Sequence, residues 1–511
     1  MGRNISIHKG RKSLSAKQVS GGFAFFIVSL LLSGISFSFP SGTNTAQASR
    51  SGKQLTELEG TIIVQHEDGP DWSRTVYFLD TGGEQVRLKF RDESVALRAG
   101  ARVSVRGKLR HGVLKVKNAA ADLRVTEGLL ALASRPVGEQ RALVMLFNFQ
   151  DNPGHKPWAA DAIRNLFFNT VNQFYKEASY NATWISGDFT GWYTLPIAST
   201  DCAADKRAAA EAGARALGFE PNNYARKVYI YPRQGCNSWA GLTINYLNSA
   251  GFKSEIWING YADFKTLAHE YGHSLGFAHS ASYTCNGGVL AGTCTRSEYG
   301  DRYDVMGNTS TGYVNAAHRD DAGWFTAGMP MIEQVTEDGV YTIGPLEAMD
   351  GNLKALKIFK SIDPATGLAN YYYLEFRQAI GYDSYLSSYP AITGGVLFHL
   401  ALAPKDTSLF YDCKLLDMTP GTSGADQALG VGRSYTDPDI PVTISVLSAN
   451  SAGATVSVQF GVPECARSNP AVVMNPVSAG PVAAGMPVNY TVTVSNHDSS
   501  ACAASSFNLL A

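Results

Sequence analysis

The chain has 511 residues, 45% of them hydrophobic and 17% charged, and a formal net charge of −1 at pH 7. That length predicts about three or four domains with apolar cores of their own. A balance this close to zero, with no basic-aromatic stripe, gives neither nucleic acid nor an anionic membrane surface as an implied partner.

At the N-terminus Arg3, Lys9, Arg11, Lys12 and Lys17 precede an apolar run from Phe23 to Phe37, interrupted by Ser29, Ser33 and Gly34. Ala46-Gln47-Ala48 then offers a small-x-small cleavage site. The pattern predicts a secretory signal peptide over residues 1–48 and export to a medium, periplasm or cell wall. A signal anchor would need about 20 unbroken apolar residues, and no later run reaches that length either. All seven cysteines follow the cleavage site, and no Cys-x-x-Cys occurs. Their spacing suggests the pairs Cys202–Cys236, Cys285–Cys294 and Cys465–Cys502, with Cys413 left over.

Residues 49–135 form the first β-rich segment. Apolar and polar residues alternate over Gly60–Val64, Thr75–Leu79, Gln85–Phe90, Ala101–Leu109 and Val113–Val116, which predicts five short strands. Five such strands suggest a small barrel, of the oligonucleotide/oligosaccharide-binding type. Its position suggests a propeptide processed between Thr126 and Arg141, near Arg135, Pro136 and Gly138; a permanent accessory domain is the alternative.

From Ala142-Leu143-Val144-Met145-Leu146-Phe147, a buried strand, the texture becomes mixed α/β. Helices are predicted over Ala160–Glu177 and Lys206–Leu217 and a strand over Lys227–Tyr231. Ser254 to Gly260 reads as strand and turn, and Ser254–Trp257 is the candidate edge on which an extended substrate could add. Asp263 then opens an amphipathic helix.

That helix leads into His269-Glu270-Tyr271-Gly272-His273-Ser274-Leu275-Gly276-Phe277-Ala278-His279. Positions i and i+4 share a helix face, so His269 and His273 can direct ring nitrogens at one ion while Glu270 projects beside them. Gly276 tolerates the left-handed backbone that ends a helix, and the chain can turn there to bring His279 back as a third ligand. A bare His-Glu-x-x-His is compatible with a solvated helix face. The glycine and third histidine at fixed offsets lower the chance rate by a further factor of roughly several hundred.

Downstream, Glu298-Tyr299-Gly300-Asp301-Arg302-Tyr303-Asp304-Val305-Met306-Gly307 places a methionine after a polar, glycine-containing turn. Asp301 and Asp304 read as a solvated acidic turn, with calcium as the weaker alternative. Residues 335–462 read as β-strands, including Tyr371–Phe376, Gly395–Leu400, Val442–Val446 and Ala454–Val458. His399, between apolar neighbours, reads as a core histidine rather than a ligand. Residues 463–511 have an immunoglobulin-like pattern, including Val488 to Val494, but hold roughly half of a seven-stranded sandwich, so that domain reads as truncated.

The long zinc motif followed by a methionine turn resembles the metzincin metallopeptidases, and Asp304-Val305-Met306-Gly307 is similar to the gametolysin family. Val171 to Tyr180, Gly191 to Pro196, Gly235 to Leu242, and Asn315 to His318 running on to Gly323-Trp324 agree with that family. Ser280, directly after the third histidine, is also similar to matrixins. The resemblance implies a multidomain chain in which an α/β metzincin-type domain over 139–328 follows the small β-barrel-like domain and precedes the all-β ones. It implies Met306 as the hydrophobic floor under the metal. A cysteine latch on the metal is excluded, because no cysteine precedes Cys202. A tyrosine ligand two residues past Met306 is absent, since Asn308 stands there.

This ligand set implies one catalytic Zn2+ held by His269, His273 and His279, with a bound water whose pKa falls from about 16 toward 7. Glu270 would be the general base, and the substrate a protein or glycoprotein. Two other readings share the motif. A non-peptidase zinc amidohydrolase could use the same groups. A non-catalytic zinc-retaining binding module would have no use for Glu270.

Overall fold

The computed structural model describes residues 55–127, 136–307, 311–326, 331–362, 369–402 and 413–461, less 71, 92–96 and 423, together with 467, 471–475 and 491–495. The expected signal peptide over 1–48, the Cys465–Cys502 pair, Asn308 and the middle of the 126–141 linker lie outside them. What is described is mostly β-sheet with few helices. Among the described residues no helix is long and apolar enough to cross a membrane.

The N-terminal segment holds β1 (Thr56–Asp68), β2 (Ser73–Asp80), β3 (Gln85–Phe90), β4 (Arg102–Arg110), β5 (Val113–Val116) and β6 (Leu123–Glu127). Period-two alternation turns Ile62, Val64, Leu79, Leu88 and Val103 inward, onto a core of their own. β1 pairs with β2, β2 with β3, β3 with β5, β5 with β4 and β4 again with β1, so the hydrogen bonding runs in a closed circuit. At 13 residues β1 is long enough to serve two partners along one side. On one side Thr61–Asp68 pairs with β2; on the other, Thr56–Thr61 pairs with β4 and Val64–Asp68 pairs outside the circuit.

The elements that follow are β7 (Gly138–Phe149), β8 (Thr183–Leu195), β9 (Arg226–Tyr231), β10 (Gly241–Asn248) and β11 (Gly251–Asn259). They pair in the order β10-β11-β9-β7-β8, all parallel except β10, which runs antiparallel to β11. Both faces of β7 are covered. Val144 and Leu146 pack with Phe167 and Val171 of the helical stretch 160–178, and Leu143 and Met145 with Ala210 and Ala214 of helix Lys206–Ala216. The Ser254–Trp257 segment lies on β11 and is not an edge, because its backbone pairs with β10 on one side and β9 on the other. The outer strands of this set are β8 and β10, and β10 is the one next to the motif helix. Its free side is taken by β1, antiparallel, from Val64↔Asn245 to Asp68↔Gly241, which joins the two segments in one 11-stranded sheet.

A second sheet crosses the expected boundary near residue 330. β12 (Ser280–Cys285) and β13 (Cys294–Ser297) join β14 (Ile332–Val335), β16 (Ala355–Ile362), β17 (Ala369–Glu375), β18 (Gly395–Leu402) and β19 (Cys413–Leu416) in the order β13-β12-β19-β18-β17-β16-β14. β15 (Gly339–Ile343) pairs instead with β23 (Gly453–Phe460) in a four-stranded sheet that also holds β22 (Val442–Asn450) and β21 (Ser434–Thr436); β20 (Leu429–Gly430) edges β18. Ile358, Leu374 and Phe398 pack against Ile444 and Val456 between the two sheets. β24 (Ala471–Asn475) and β25 (Thr491–Ser495) form an antiparallel pair. Disulfides Cys202–Cys236 and Cys285–Cys294 are present as expected, and Cys413 is buried.

Candidate metal centre

The motif occupies helix Phe264–Ser274, and both ends of that helix follow from local chemistry. Asp263 caps its first turn by accepting from the Thr266 amide at 2.8 Å. At the other end Gly276 takes φ +96°, the Gly276 amide donates to His273 O at 2.9 Å, and the Phe277 amide donates to Gly272 O at 3.1 Å. That is a Schellman turn, which closes the helix and reverses the chain. It brings His279 to the face already carrying His269 and His273, with His273 Nε2 and His279 Nε2 3.1 Å apart.

Each imidazole is oriented by its other nitrogen. His269 Nδ1 lies 2.8 Å from Val305 O, His273 Nδ1 2.8 Å from Phe277 O, and His279 Nδ1 3.0 Å from Glu298 Oε1. A carbonyl or carboxylate oxygen can only accept, so Nδ1 carries the proton in all three rings, and in the neutral imidazole Nε2 then presents a lone pair. Burial, with His273 beside it, holds His269 down at about 3, and burial lowers His273 too. His279 is also buried, but the carboxylates of Asp68 and Glu298 on either side draw it up to about 9.

Asp68 joins them, a residue that no local pattern in the chain marks. It ends β1, with Oδ1 2.9 Å from His279 Nε2 and Oδ2 3.3 Å from His273 Nε2 and 3.9 Å from His269 Nε2. The four groups are buried and their candidate ligand atoms all lie within 4.8 Å of one another. His269 Nε2 and Asp68 Oδ2 are buried without a hydrogen-bond partner. Two polar atoms stranded in this way are costly unless something else satisfies them, and a cation would satisfy both. Three imidazoles and a carboxylate are a donor set that suits zinc.

Glu270 is buried beside the cluster. Thr243 Oγ1 of β10 donates to Glu270 Oε2 at 2.6 Å, and the bare Cα of Gly241 faces its carboxylate. Burial pushes its carboxyl well above the usual range, and the negative charge of Asp68 adds to the rise. Asn245 Nδ2, also on β10, donates to His273 O at 2.8 Å, so one strand anchors both Glu270 and the motif helix. Tyr299 closes another side, its hydroxyl donating to Asp68 Oδ1 at 2.5 Å and its ring 4.3 Å from that of His279.

Met306 is fully buried, packed against the motif helix where Gly272 leaves room for its sulfur. The turn that carries it is not the solvated acidic loop expected of Asp301 and Asp304. Both carboxylates are buried, because protein donors reach them: His399 Nε2 lies 2.9 Å from Asp301, and the Met306 and Asn315 amides each donate to Asp304 at 2.7 Å. His399 is the core histidine expected, and it braces the methionine turn from β18. Asp68, Tyr299 and the β10 pair Gly241 and Thr243 were missed because they reach the site from three parts of the chain outside the motif. Only the polar Glu298-Tyr299 pair ahead of the methionine offered a local hint.

A family model described as gametolysin peptidase M11 matches residues 141–399, just over half of the chain. No curated protein compared with the chain matches it.

Proposed function

Since the chain belongs to the gametolysin family of metallopeptidases, we propose that it is an exported zinc endopeptidase of the metzincin type, acting on proteins or glycoproteins. His269, His273 and His279 hold the zinc in this reading and Glu270 is the general base. The observation that carries it is the convergence of three Nε2 lone pairs on one point, each fixed by an Nδ1 hydrogen bond behind it.

Zinc, when bound, supplies a Lewis acid that acidifies water and polarises a peptide carbonyl. The chain's own residues do the rest. Glu270 accepts a proton from the attacking water and delivers it to the leaving nitrogen, with Thr243 holding its carboxylate in position. Gly276 supplies the turn that returns His279, and Met306 the apolar floor below the ligands. Export rests on the N-terminal sequence pattern, and two disulfides suit an oxidising compartment. Residues 49–135 act as a propeptide; the closed circuit of strand pairings supports a small barrel there.

The test is cleavage of an unfolded protein by the zinc-loaded chain and its Glu270→Ala variant, before and after limited proteolysis, with fragments read by mass spectrometry. The expected result is cleavage by the parent that falls at least roughly a hundredfold in the variant while zinc stays bound. If neither cuts in either state, the peptidase reading fails and a non-peptidase zinc amidohydrolase takes its place.

A further inference from the structure

We propose that Asp68 is a fourth metal ligand, delivered by the β1–β2 hairpin, and that β1 occupies the sheet edge on which a substrate peptide would add. The inference rests on the metal-centre reading above and goes beyond it, because β1 lies outside the family-matched residues 141–399.

The distances fit coordination. Ligand atoms about 2.1 Å from a tetrahedral zinc stand about 3.4 Å from each other. Asp68 oxygens stand 2.9, 3.3 and 3.9 Å from the three Nε2 atoms. Asp68 Oδ2 and His269 Nε2, the two stranded atoms, both belong to this group. One ion bridging the four residues removes both deficits, whereas a three-histidine site would leave Asp68 buried beside it as an unused charge.

The carboxylate is built in, not incidental. Its backbone oxygen accepts from the Ala240 amide at 2.7 Å, and Tyr299 holds Oδ1. Two residues earlier on β1, the His66 ring stacks on His273 with centroids 4.1 Å apart. Arg98, further along the same segment, pairs with Asp321 of the matched region.

The strand pairing explains the consequence. An extended peptide binds a sheet by adding to a free edge, and of the two outer strands of the matched sheet, β8 and β10, only β10 bonds to the motif helix, through Thr243 to Glu270 and Asn245 to His273. β10 also carries Gly241 and Thr243, the residues against Glu270. β1 already fills that edge in antiparallel register, and Asp68 is the residue opposite Gly241. It therefore puts a carboxylate where the peptide group to be cleaved would stand next to the base. While β1 is in place the chain is latent, and activation requires its withdrawal from β10.

The test uses the full chain with cobalt(II) in place of zinc, followed by visible absorption and azide titration. Parent, Asp68→Ala and His273→Ala are compared, with Asp68→Asn as a second variant that keeps the side chain's size and its bond to Tyr299. The parent should take up cobalt and His273→Ala should not. Both Asp68 variants should shift the spectrum, and Asp68→Ala should bind azide at least about tenfold more tightly than the parent, because a coordination position has opened. Identical spectra and azide affinities in parent and both Asp68 variants would overturn the fourth ligand while leaving the three-histidine site standing. No cobalt uptake by the parent, or equal uptake after His273→Ala, would sink the metal-centre reading and the latch with it.

Discussion

The Cα of Gly241 faces the carboxylate of Glu270 so closely that a Cβ built there would overlap Oε1. The backbone at Gly241 is ordinary extended strand, so space alone excludes a side chain. Gly241→Ala should push Glu270 off its position and lower kcat/KM of the released enzyme by about 10- to 100-fold, since sub-ångström to ångström misplacement of a catalytic group costs that much. Zinc content should not change. Steady-state kinetics with metal analysis checks both, and an unchanged kcat/KM would remove Glu270 from the proposed chemistry.

Glu298 accepts from His279 Nδ1 and fixes which nitrogen faces the metal. Outer partners of this kind commonly contribute about 10- to 100-fold in metal affinity. Glu298→Gln should weaken zinc binding by about tenfold in a chelator competition, with the fold unaltered by circular dichroism.

Gly272 is the gap that admits Met306. A Cβ there would overlap Met306 Sδ and lie 2.8 Å from the Tyr175 hydroxyl. Gly272→Ala gains about 1 kcal/mol of helix propensity but loses about 1–3 kcal/mol to overpacking, for a net loss of about 0–2 kcal/mol. In a Met306→Ala background the loss should shrink by about 1 kcal/mol, because the sulfur is gone. Urea midpoints of the four proteins in the cycle decide this.

Arg377 is fully buried between Glu375, Glu347 and Asp383, and also donates to Tyr303 O at 2.9 Å and Tyr313 O at 3.0 Å. It ties the strand region after β17 to the segment carrying the methionine turn. Burial pushes the Glu347 carboxyl well up, with the charge of Asp383 adding to the rise. Arg377→Met should cost about 3–5 kcal/mol, because buried acids lose their counter-charge. Arg377→Lys should not restore it, since an ammonium cannot reach the three acids and two carbonyls together. Thermal denaturation of both variants is the measurement.

Asp437 supplies a pH dependence away from the metal site. Burial alone would raise its carboxyl, but Lys360 Nζ at 2.6 Å, the Tyr372 hydroxyl and two backbone amides overrule it and hold the pKa below the usual value. A carboxylate with a lowered folded pKa stabilises above its unfolded value near 3.9 and loses that contribution as pH falls through the folded one. Asp437→Asn should therefore melt below the parent at pH 6, and the gap should narrow steadily below about pH 4. A gap that does not change with pH would mean the charge contributes nothing.

Features that rest on short-range geometry are legible along the chain. The i, i+4 spacing of His269 and His273, the Asp263 cap and the Gly276 turn act within one helix and its exit, so each could be read from neighbours along the chain. Five of the six N-terminal strands, all but β6, and the strand of Ala142–Phe147 were legible for the same reason, since alternation and apolar runs are local patterns. Tertiary structure decided which edges pair. Nothing in the period of β11 distinguishes an outer strand from an inner one, and Ser254–Trp257 proved to be interior. Nor does any local pattern tell that Asp301 and Asp304 find buried donors in His399, Met306 and Asn315. Asp68 is the clearest case. A carboxylate beside a strand turn looks like surface until a ladder from Val64 to Asp68 sets it against three imidazoles on a distant helix. Hydrogen-bonded strand edges carry no sequence code for their partner, so the contact that closes this site exists only in the folded chain.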